Sequence, residues 1–292
     1  MPLSRAALPF SFALVGLMNA GPIRASELKP VTAKAFAHYE ALTEARMQSE
    51  VDDPGGFLLL DTLPEGQKAE EIARVRGGQI YIQPLSTKDN GKKIEIPDGM
   101  VHHWIAVGFL PKAHLADAMR VAQDYEHHAD FFGPDIQRSH LLNREGEHFR
   151  IAYRFYKHTI VTVTYNTEFE AEFTLRGPTQ AYSSSKAVRI AEVRNAGEKN
   201  EREYPVGNDH GFLWRLNLYA RYLEVEDGLF IQVELLSLSR TVPALLAWLV
   251  NPYLRSIPRD YLSNYIRRFG KTVNQQSKEQ PAATKTPART EP

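Results

Sequence analysis

The sequence contains no cysteine among its 292 residues. Disulfide bonds, thiolate nucleophiles and zinc sites built from cysteine are therefore excluded, and so is lipidation of a cysteine near the N-terminus. A chain of this size must be stabilised by the burial of apolar side chains. Its composition, 43% hydrophobic and 24% charged, is that of a globular protein with a substantial core.

An excess of either charge is also lacking, because Lys and Arg total 35 and Asp and Glu total 35. No overall field attracts nucleic acid, and we expect no nucleic-acid partner. The sequence has no Gly-x-Ser-x-Gly elbow, no His-Glu-x-x-His pair and no glycine-rich phosphate loop. We therefore predict no metal site and no cofactor.

Long apolar runs are missing except near the N-terminus. Residues 1–25, MPLSRAALPFSFALVGLMNAGPIRA, place one arginine before an apolar stretch from Ala6 to Ala20, with small residues after it. The stretch is shorter than the roughly 20 residues that a transmembrane helix needs. We interpret residues 1–25 as a secretory signal peptide cleaved after Ala25, so that the protein is exported. An uncleaved membrane anchor is the alternative.

Hydrophobic periodicity predicts an N-terminal extension over residues 26–99. It contains an isolated surface helix over 31–50, a second helix over 66–75 and a β-hairpin over 79–99. Asn90-Gly91, at the centre of the hairpin, favours the left-handed conformations of a type I′ turn. The extension is expected either to cover the sheet or to close a cavity.

A strand at 101–110 and an amphipathic helix that begins at Pro111 follow the extension. Next come about five strands in which apolar and polar residues alternate, which gives the sheet one apolar face. A long helix then ends at Gly270, and residues 274–292 are predicted to be a disordered tail. Runs of strands followed by a helix indicate an α+β fold with an antiparallel sheet.

Three stretches resemble the START-like helix-grip superfamily, which includes polyketide cyclases and dehydrases and lipid-transfer domains. They are VHHWIAVGFL, AMRVAQDYEHHADFFGPDIQRSHLL and LSRTVPALLAWLVNPYLRSIPRDYLSNYIRRF. The resemblance assigns residues 100–273 to one such domain. It implies a curved antiparallel sheet wrapped around a long C-terminal helix, with an apolar cavity between them. Members bind lipids, sterols, quinones or polyketides, and some catalyse cyclisation, so the fold alone does not choose a function.

A hairpin over residues 209–240 separates its side chains by face. If Asp227-Gly228 forms a two-residue turn, Arg221 lies opposite Glu234. In the favoured arrangement the apolar face is interior, and Arg221 and Glu234 form a structural ion pair on the outer face, covered by the extension. In the alternative, the charged face lines the cavity and this pair orients a polar head group.

Inward-facing aromatic residues are the main positive sign of a ligand site. A flat, mostly apolar ligand needs an apolar cavity with a few hydroxyl groups, although a plain aromatic core is the alternative. The predicted ligand-binding residues are Tyr153, Tyr165, Trp214 and Tyr222 on the strands, Trp248 on the last helix, and His103, which shares strand parity with Ile105.

Three functions are compatible with this pattern. The leading hypothesis is an exported, non-catalytic binder or carrier of a hydrophobic small molecule such as a lipid, isoprenoid, quinone or polyketide, with transient membrane contact left open. The second is a cyclase, dehydratase or hydrolase that uses Asp209, His210 or His103 as acid and base. The third is an interaction protein with a filled core, which docks through its extension or tail.

Overall fold

A computed structural model of the chain describes residues 26–53, 55–158, 162–241 and 244–279. For residues 244–256 it describes the helical backbone and not the side chains. The predicted signal peptide and most of the predicted tail lie outside these ranges.

The N-terminal extension contains two helices and several short strands. Pro30 starts the first helix, at a position where the missing amide hydrogen is not needed. The elements are strand β1 (Ser26–Glu27), helix α1 (Pro30–Asp52), a 3-10 turn (Leu59–Thr62), helix α2 (Glu65–Arg76), and strands β2 (Tyr81–Pro84), β3 (Lys88–Asp89) and β4 (Lys92–Lys93).

The rest of the described chain supplies most of the sheet and one long helix. Its elements are β5 (Gly99–Pro111), α3 (Leu115–Gln123), α4 (His128–Phe132), β6 (Ile136–Glu145), β7 (His148–His158), β8 (Thr162–Arg176), β9 (Gln180–Arg194), β10 (Arg202–Glu203), β11 (Asn208–Asp209), β12 (Arg215–Val225), β13 (Gly228–Arg240) and α5 (Ala244–Glu279).

Nine of these strands form one antiparallel sheet with the order β2-β5-β13-β12-β9-β8-β7-β6, and β10 pairs with the end of β9. One face, here called the helix face, packs its residues Ala106, Tyr222, Ile231 and Val233 against Leu262, Ile266 and Phe269 of α5. This arrangement confirms the predicted α+β, helix-grip architecture, in which the sheet wraps the C-terminal helix.

The opposite side of the sheet, here called the extension face, is covered by the N-terminal extension. Two clusters lie there, one in which Phe36 and Met47 of α1 pack on Leu236, and one in which Val51 and Val75 pack on Phe230. The prediction of α1 as an isolated surface helix is therefore wrong. Its buried side chains recur every three or four residues, which is the spacing of one helix face: Thr32, Phe36, Tyr39, Thr43, Met47 and Val51.

The predicted hairpin over 79–99 is only partly present. Asn90 and Gly91 adopt positive φ angles of 47° and 78° and close the short β3–β4 ladder. Strand β2 instead pairs with β5, so this part of the extension belongs to the main sheet. Alternation within each arm was visible in the sequence, but the choice of partner strand depends on the tertiary fold.

Helix α5 continues through Gly270 to Glu279, so residues 274–279 are helical and not disordered as predicted. A Cβ at Gly270 would lie 2.4 Å from Cδ2 of Leu110 on β5. The glycine therefore permits close packing of the helix on the sheet, and it does not end the helix.

The β12–β13 turn differs by one residue from the prediction. Val225 pairs with Gly228, so Glu226 and Asp227 form the turn, and Gly228 lies in the strand beside the Leu110 carbonyl. Each residue of β12 therefore pairs with a residue two positions away from the one expected. Because a shift of two positions preserves the faces, the predicted separation of side chains along the paired strands is confirmed.

We predict that Gly108→Ala destabilises the fold, because a Cβ there would lie 2.6 Å from Cγ2 of Ile266 on α5. The strand and helix must separate to relieve this overlap, at a cost of about 1 to 3 kcal/mol in unfolding free energy. Gly66→Ala is the matched control, because a Cβ in α2 meets nothing within 4 Å and should stabilise by up to about 1 kcal/mol. Urea unfolding measures both changes, and unchanged stability of the Gly108 variant would contradict the close approach.

Candidate functional site

The space between the helix face and α5 is the candidate site. Leu216 and Leu218 point into it from β12, which is the fourth of the eight strands in the main order. Both are only partly buried, although β12 is a central strand of the sheet. A closely packed interior buries such side chains completely, so packing around these two residues is incomplete.

Three tyrosines line the same space. Tyr153 on β7 and Tyr261 and Tyr265 on α5 are half-buried and pack against the helix-face core. Burial also raises the pKa of all three hydroxyl groups.

The hydroxyl of Tyr153 is positioned by His128 on α4. Nε2 of His128 lies 3.2 Å from the carbonyl oxygen of Val121 and Nδ1 lies 2.8 Å from the hydroxyl of Tyr153. Burial lowers the pKa of His128 to about 4, so the ring is neutral at pH 7. Nε2 then donates to the carbonyl and Nδ1 accepts from Tyr153, which leaves the tyrosine oxygen as an acceptor for a ligand.

A polar cluster lies at one end of the helix face and consists of Tyr165, Glu192, Asp209 and His210. Tyr165 pairs with Phe155 on one side and with Glu192 on the other, and directly paired residues share a face. Glu192 accepts a hydrogen bond from the backbone N–H of His210 at 3.2 Å and also contacts Nδ1 of that ring. The backbone N–H of Gly211 donates to Oδ1 of Asp209 at 2.6 Å.

Both carboxylates of the polar cluster are buried, with Asp209 1% and Glu192 4% exposed. Burial raises the pKa of Asp209 to about 6, and the neighbouring Glu192 adds to the rise, while the hydrogen bond from Gly211 opposes it. The Tyr165 hydroxyl is buried and has no hydrogen-bond partner in the described part of the chain. Burial also raises the pKa of this hydroxyl.

Five of the six predicted ligand-binding residues can be assigned to one face of the sheet. Tyr153, Tyr165 and Tyr222 lie on the helix face as predicted; Tyr222 packs on Phe269 with 6.0 Å between ring centroids. His103 lies on the extension face instead. It shares its parity with Ile105, as expected, but odd-numbered residues of β5 face the extension.

His103 is held in a buried network on the extension face. Its Nδ1 lies 2.9 Å from the hydroxyl of Tyr39, and its Nε2 lies 2.6 Å from Oε1 of Glu234. The backbone N–H of Thr87 donates to the same Tyr39 hydroxyl at 2.8 Å. His103 therefore acts neither on a ligand at the helix face nor together with Asp209 and His210. These last two do lie together, and their catalytic role stays a prediction.

Trp214 also lies on the extension face, where it packs with Phe36 and Tyr39. It directly precedes Arg215, the first residue of β12, so the strand alternation that placed it inward does not hold there. Trp248 belongs to the part of α5 whose side chains are not described, so its predicted role stays a prediction.

Arg221 and Glu234 do not pair with each other. Arg221 donates to Oε2 of Glu50 at 2.7 Å and to the carbonyl oxygen of Phe57 at 2.9 Å, whereas Glu234 contacts His103 and Arg46. The shifted register places Gln232 opposite Arg221. Both residues nevertheless lie on the outer face beneath the N-terminal extension, as favoured. Neither residue therefore lies on the face that packs against α5, although Arg221 borders a cleft on the extension face.

The extension face contains a cleft of about 320 Å³ between α1 and strands β8, β9 and β12. Its polar side chains bind one another: Lys186 lies 2.5 Å from Oε1 of Glu44, and the hydroxyl of Tyr219 donates to the same oxygen at 2.6 Å. The cleft is thus lined by an ion-paired polar network as well as by apolar side chains such as Met47 and Val51.

Glu192 was not predicted as a site residue, because simple alternation along β9 places it on the extension face. A β-bulge between Glu168 and Phe169 inserts Val188 into β9 and reverses the faces of the residues after it. The contact of His128 with Tyr153 was not predicted from the sequence. Among the described residues no group of three or more His, Asp or Glu side chains could hold a metal, and no described helix is long and apolar enough to span a membrane.

Neither a protein-family model nor a curated protein sequence matches this chain. Several solved structures are similar to it. A STAR-related lipid transfer protein from Xanthomonas axonopodis is 14% identical over 66% of this chain and 99% of its own, with a TM-score of 0.44. Human STARD10 is 9% identical over 75% and 83% of the two chains, with a TM-score of 0.45.

The Zhui aromatase/cyclase from Streptomyces sp. R1128 is 11% identical over 63% of this chain and 99% of its own, with a TM-score of 0.41. All three TM-scores lie below 0.5, so the fold assignment rests on the strand order and on the position of α5 described above. On that basis the chain has the helix-grip fold.

We predict that Arg221→Ala loosens the extension, because it removes the donors to Glu50 and to two backbone carbonyl groups. The unfolding free energy should fall by about 2 to 4 kcal/mol. Arg74→Ala is the matched control, since Arg74 makes only exposed ion pairs on α2 and should cost less than about 1 kcal/mol. Urea unfolding measures the free energies, and limited proteolysis reports exposure of α1. Equal stability of the two variants would contradict the anchoring role.

We predict that Asp209→Asn stabilises the protein at neutral pH. The folded state raises the pKa of Asp209 from 3.8 to about 6, so it binds a proton that the unfolded chain releases, and wild-type stability falls as pH rises through this window. Asparagine keeps an oxygen for the Gly211 N–H but carries no charge. The variant should be more stable at pH 7.5 by on the order of 1 to 3 kcal/mol.

This advantage of the Asp209→Asn variant should vanish below about pH 4, where both states of the wild type are protonated. Urea unfolding of both proteins at several pH values measures the difference. A difference that does not depend on pH would show that the charge of Asp209 is not the cause.

Proposed function

We propose that this protein is an exported, non-catalytic binder or carrier of a hydrophobic small molecule such as a lipid, isoprenoid, quinone or polyketide. The ligand lies between the helix face and α5. The observation that carries the proposal is the partial accessibility of Leu216 and Leu218, which lie in the middle of the sheet and pack against the helix-face core. A filled core would bury these side chains completely.

The lining of the cavity accounts for both affinity and selectivity. Each Å² of apolar ligand surface removed from water contributes about 25 cal/mol. Polar groups near this space include the hydroxyl groups of Tyr153, Tyr261 and Tyr265, and such groups select among ligands of similar size. Ser185 and Ser237 share the same face, because they pair with Leu218 and Leu216. Because the Tyr153 hydrogen is engaged by His128, its oxygen favours a ligand that donates a hydrogen bond.

Export is supported by the arrangement of residues 1–25, in which a basic residue precedes a short apolar stretch. A carrier of this kind exchanges its ligand at a membrane, and transient membrane contact is part of the proposal. Stable folding outside the cytoplasm is compatible with the lack of cysteine, because core burial alone stabilises the chain.

The proposal predicts that the full chain, expressed in a bacterial host and purified from the periplasm without detergent, binds the apolar fluorophore N-phenyl-1-naphthylamine. Native mass spectrometry should also detect a co-purified hydrophobic molecule. Leu218→Trp should weaken fluorophore binding at least ten-fold, because the indole occupies the space that Leu218 borders.

Leu142→Trp is the matched control, since Leu142 on β6 is 46% exposed and the same substitution there should leave binding unchanged. Absence of fluorophore binding in the wild type would contradict the cavity and favour a filled-core interaction protein. Equal binding by both tryptophan variants would place the fluorophore elsewhere. Recovery of the protein only in the cytoplasm would contradict export.

A further inference from the structure

The polar cluster of Tyr165, Glu192, Asp209 and His210 adjoins the proposed ligand space. Tyr165 and Glu192 share the helix face with Phe155, which is half-buried and packs against the core under α5. A ligand whose apolar part lies against Phe155 therefore reaches the cluster with one end.

The Tyr165 hydroxyl is an incomplete hydrogen-bonding group. The side chain is 4% exposed, and its oxygen has no partner in the described part of the chain. A buried hydroxyl left without a partner costs about 1 to 3 kcal/mol, which a bound group can recover. Glu192 and Asp209 already bind the N–H groups of His210 and Gly211, and the Trp214 side chain also lies beside Asp209. Tyr165, which has no partner in the described part of the chain, therefore marks where a further group would bind.

The charge of the cluster indicates which group it accepts. Glu192 binds the His210 ring and its backbone N–H, while Asp209 accepts the Gly211 N–H at 2.6 Å. Two buried carboxylates with one imidazole retain net negative charge whenever both acids are ionised, and burial makes such charge costly without a cation. An ammonium group supplies positive charge and three hydrogen-bond donors.

We propose that the ligand is an amphiphile with a primary amine at one end, and that Tyr165, Glu192 and Asp209 bind its ammonium group. This inference rests on the proposed function, because the apolar part of the amphiphile lies in the space under α5. His210 holds Glu192 in place through its ring and its backbone N–H.

The test uses three probes with the same twelve-carbon chain: dodecylamine, dodecanol and dodecanoic acid. Each probe displaces N-phenyl-1-naphthylamine from the full chain at pH 7.5. Dodecylamine should act at a concentration at least ten-fold lower than dodecanol, and dodecanoic acid should be the weakest of the three. The concentration ratio of amine to alcohol measures the contribution of the head group separately from that of the chain.

Variants assign this ratio to the cluster. Tyr165→Phe removes only a hydroxyl that has no partner, so it keeps the fold and should reduce the preference for the amine at least three-fold. Glu192→Gln and Asp209→Asn should reduce it about ten-fold. Glu203→Gln is the matched control, because Glu203 binds Arg189 and Asn166 outside the cluster and should leave the ratio unchanged.

The outcomes separate this inference from the proposed function. Fluorophore binding with equal displacement by amine and alcohol overturns the amine head group and leaves the carrier proposal intact. A preference for the amine that persists in the Tyr165, Glu192 and Asp209 variants overturns the assignment to the cluster. Failure of the wild type to bind the fluorophore overturns both proposals.

Discussion

The pairing of β12 with β13 is the interaction on which the rest of the structure depends. These two strands lie near the middle of the sheet, and both of their faces are covered. Their register decides which side chains meet α5 and which meet α1. The side chains that pack against α5 include those of Tyr222, Ile231 and Val233. Those of Tyr219 and Arg221 point to the extension face. A slip of one residue would exchange the two sets, so this register is strongly specified.

The two faces of the sheet are specialised in different ways. On the extension face, polar side chains of β12 are matched by acids of α1: Asn217 donates to Glu40 at 2.9 Å, Tyr219 to Glu44 and Arg221 to Glu50. These contacts position α1 and complete the hydrogen bonding of buried polar groups. The helix face is mostly apolar and leaves side chains partly accessible beneath α5. One face therefore holds the extension, and the other is the face on which we propose that a ligand binds.

Much of the architecture could be predicted because it depends on local patterns. Two-residue alternation along the strands identified the sheet and the faces of β12 and β13, and apolar spacing identified the helices. The sheet face on which His103 lies could not be predicted. Strand alternation shows which residues share a face, but not which helix packs on that face. Glu192 was missed because a bulge in β9 reverses the alternation. The partner strand of β2 depends on contacts between segments far apart in the sequence.

The sequence by itself determined the α+β class, the separation of side chains between two faces and the absence of cysteine chemistry, because composition and periodicity are properties of the chain alone. Only the tertiary structure decided that Arg221 binds Glu50, that His103 lies beneath α1, and that Tyr165, Glu192, Asp209 and His210 meet at one end of the helix face. These contacts join residues distant in the chain, and their geometry follows from register, bulges and helix docking, which no local pattern encodes.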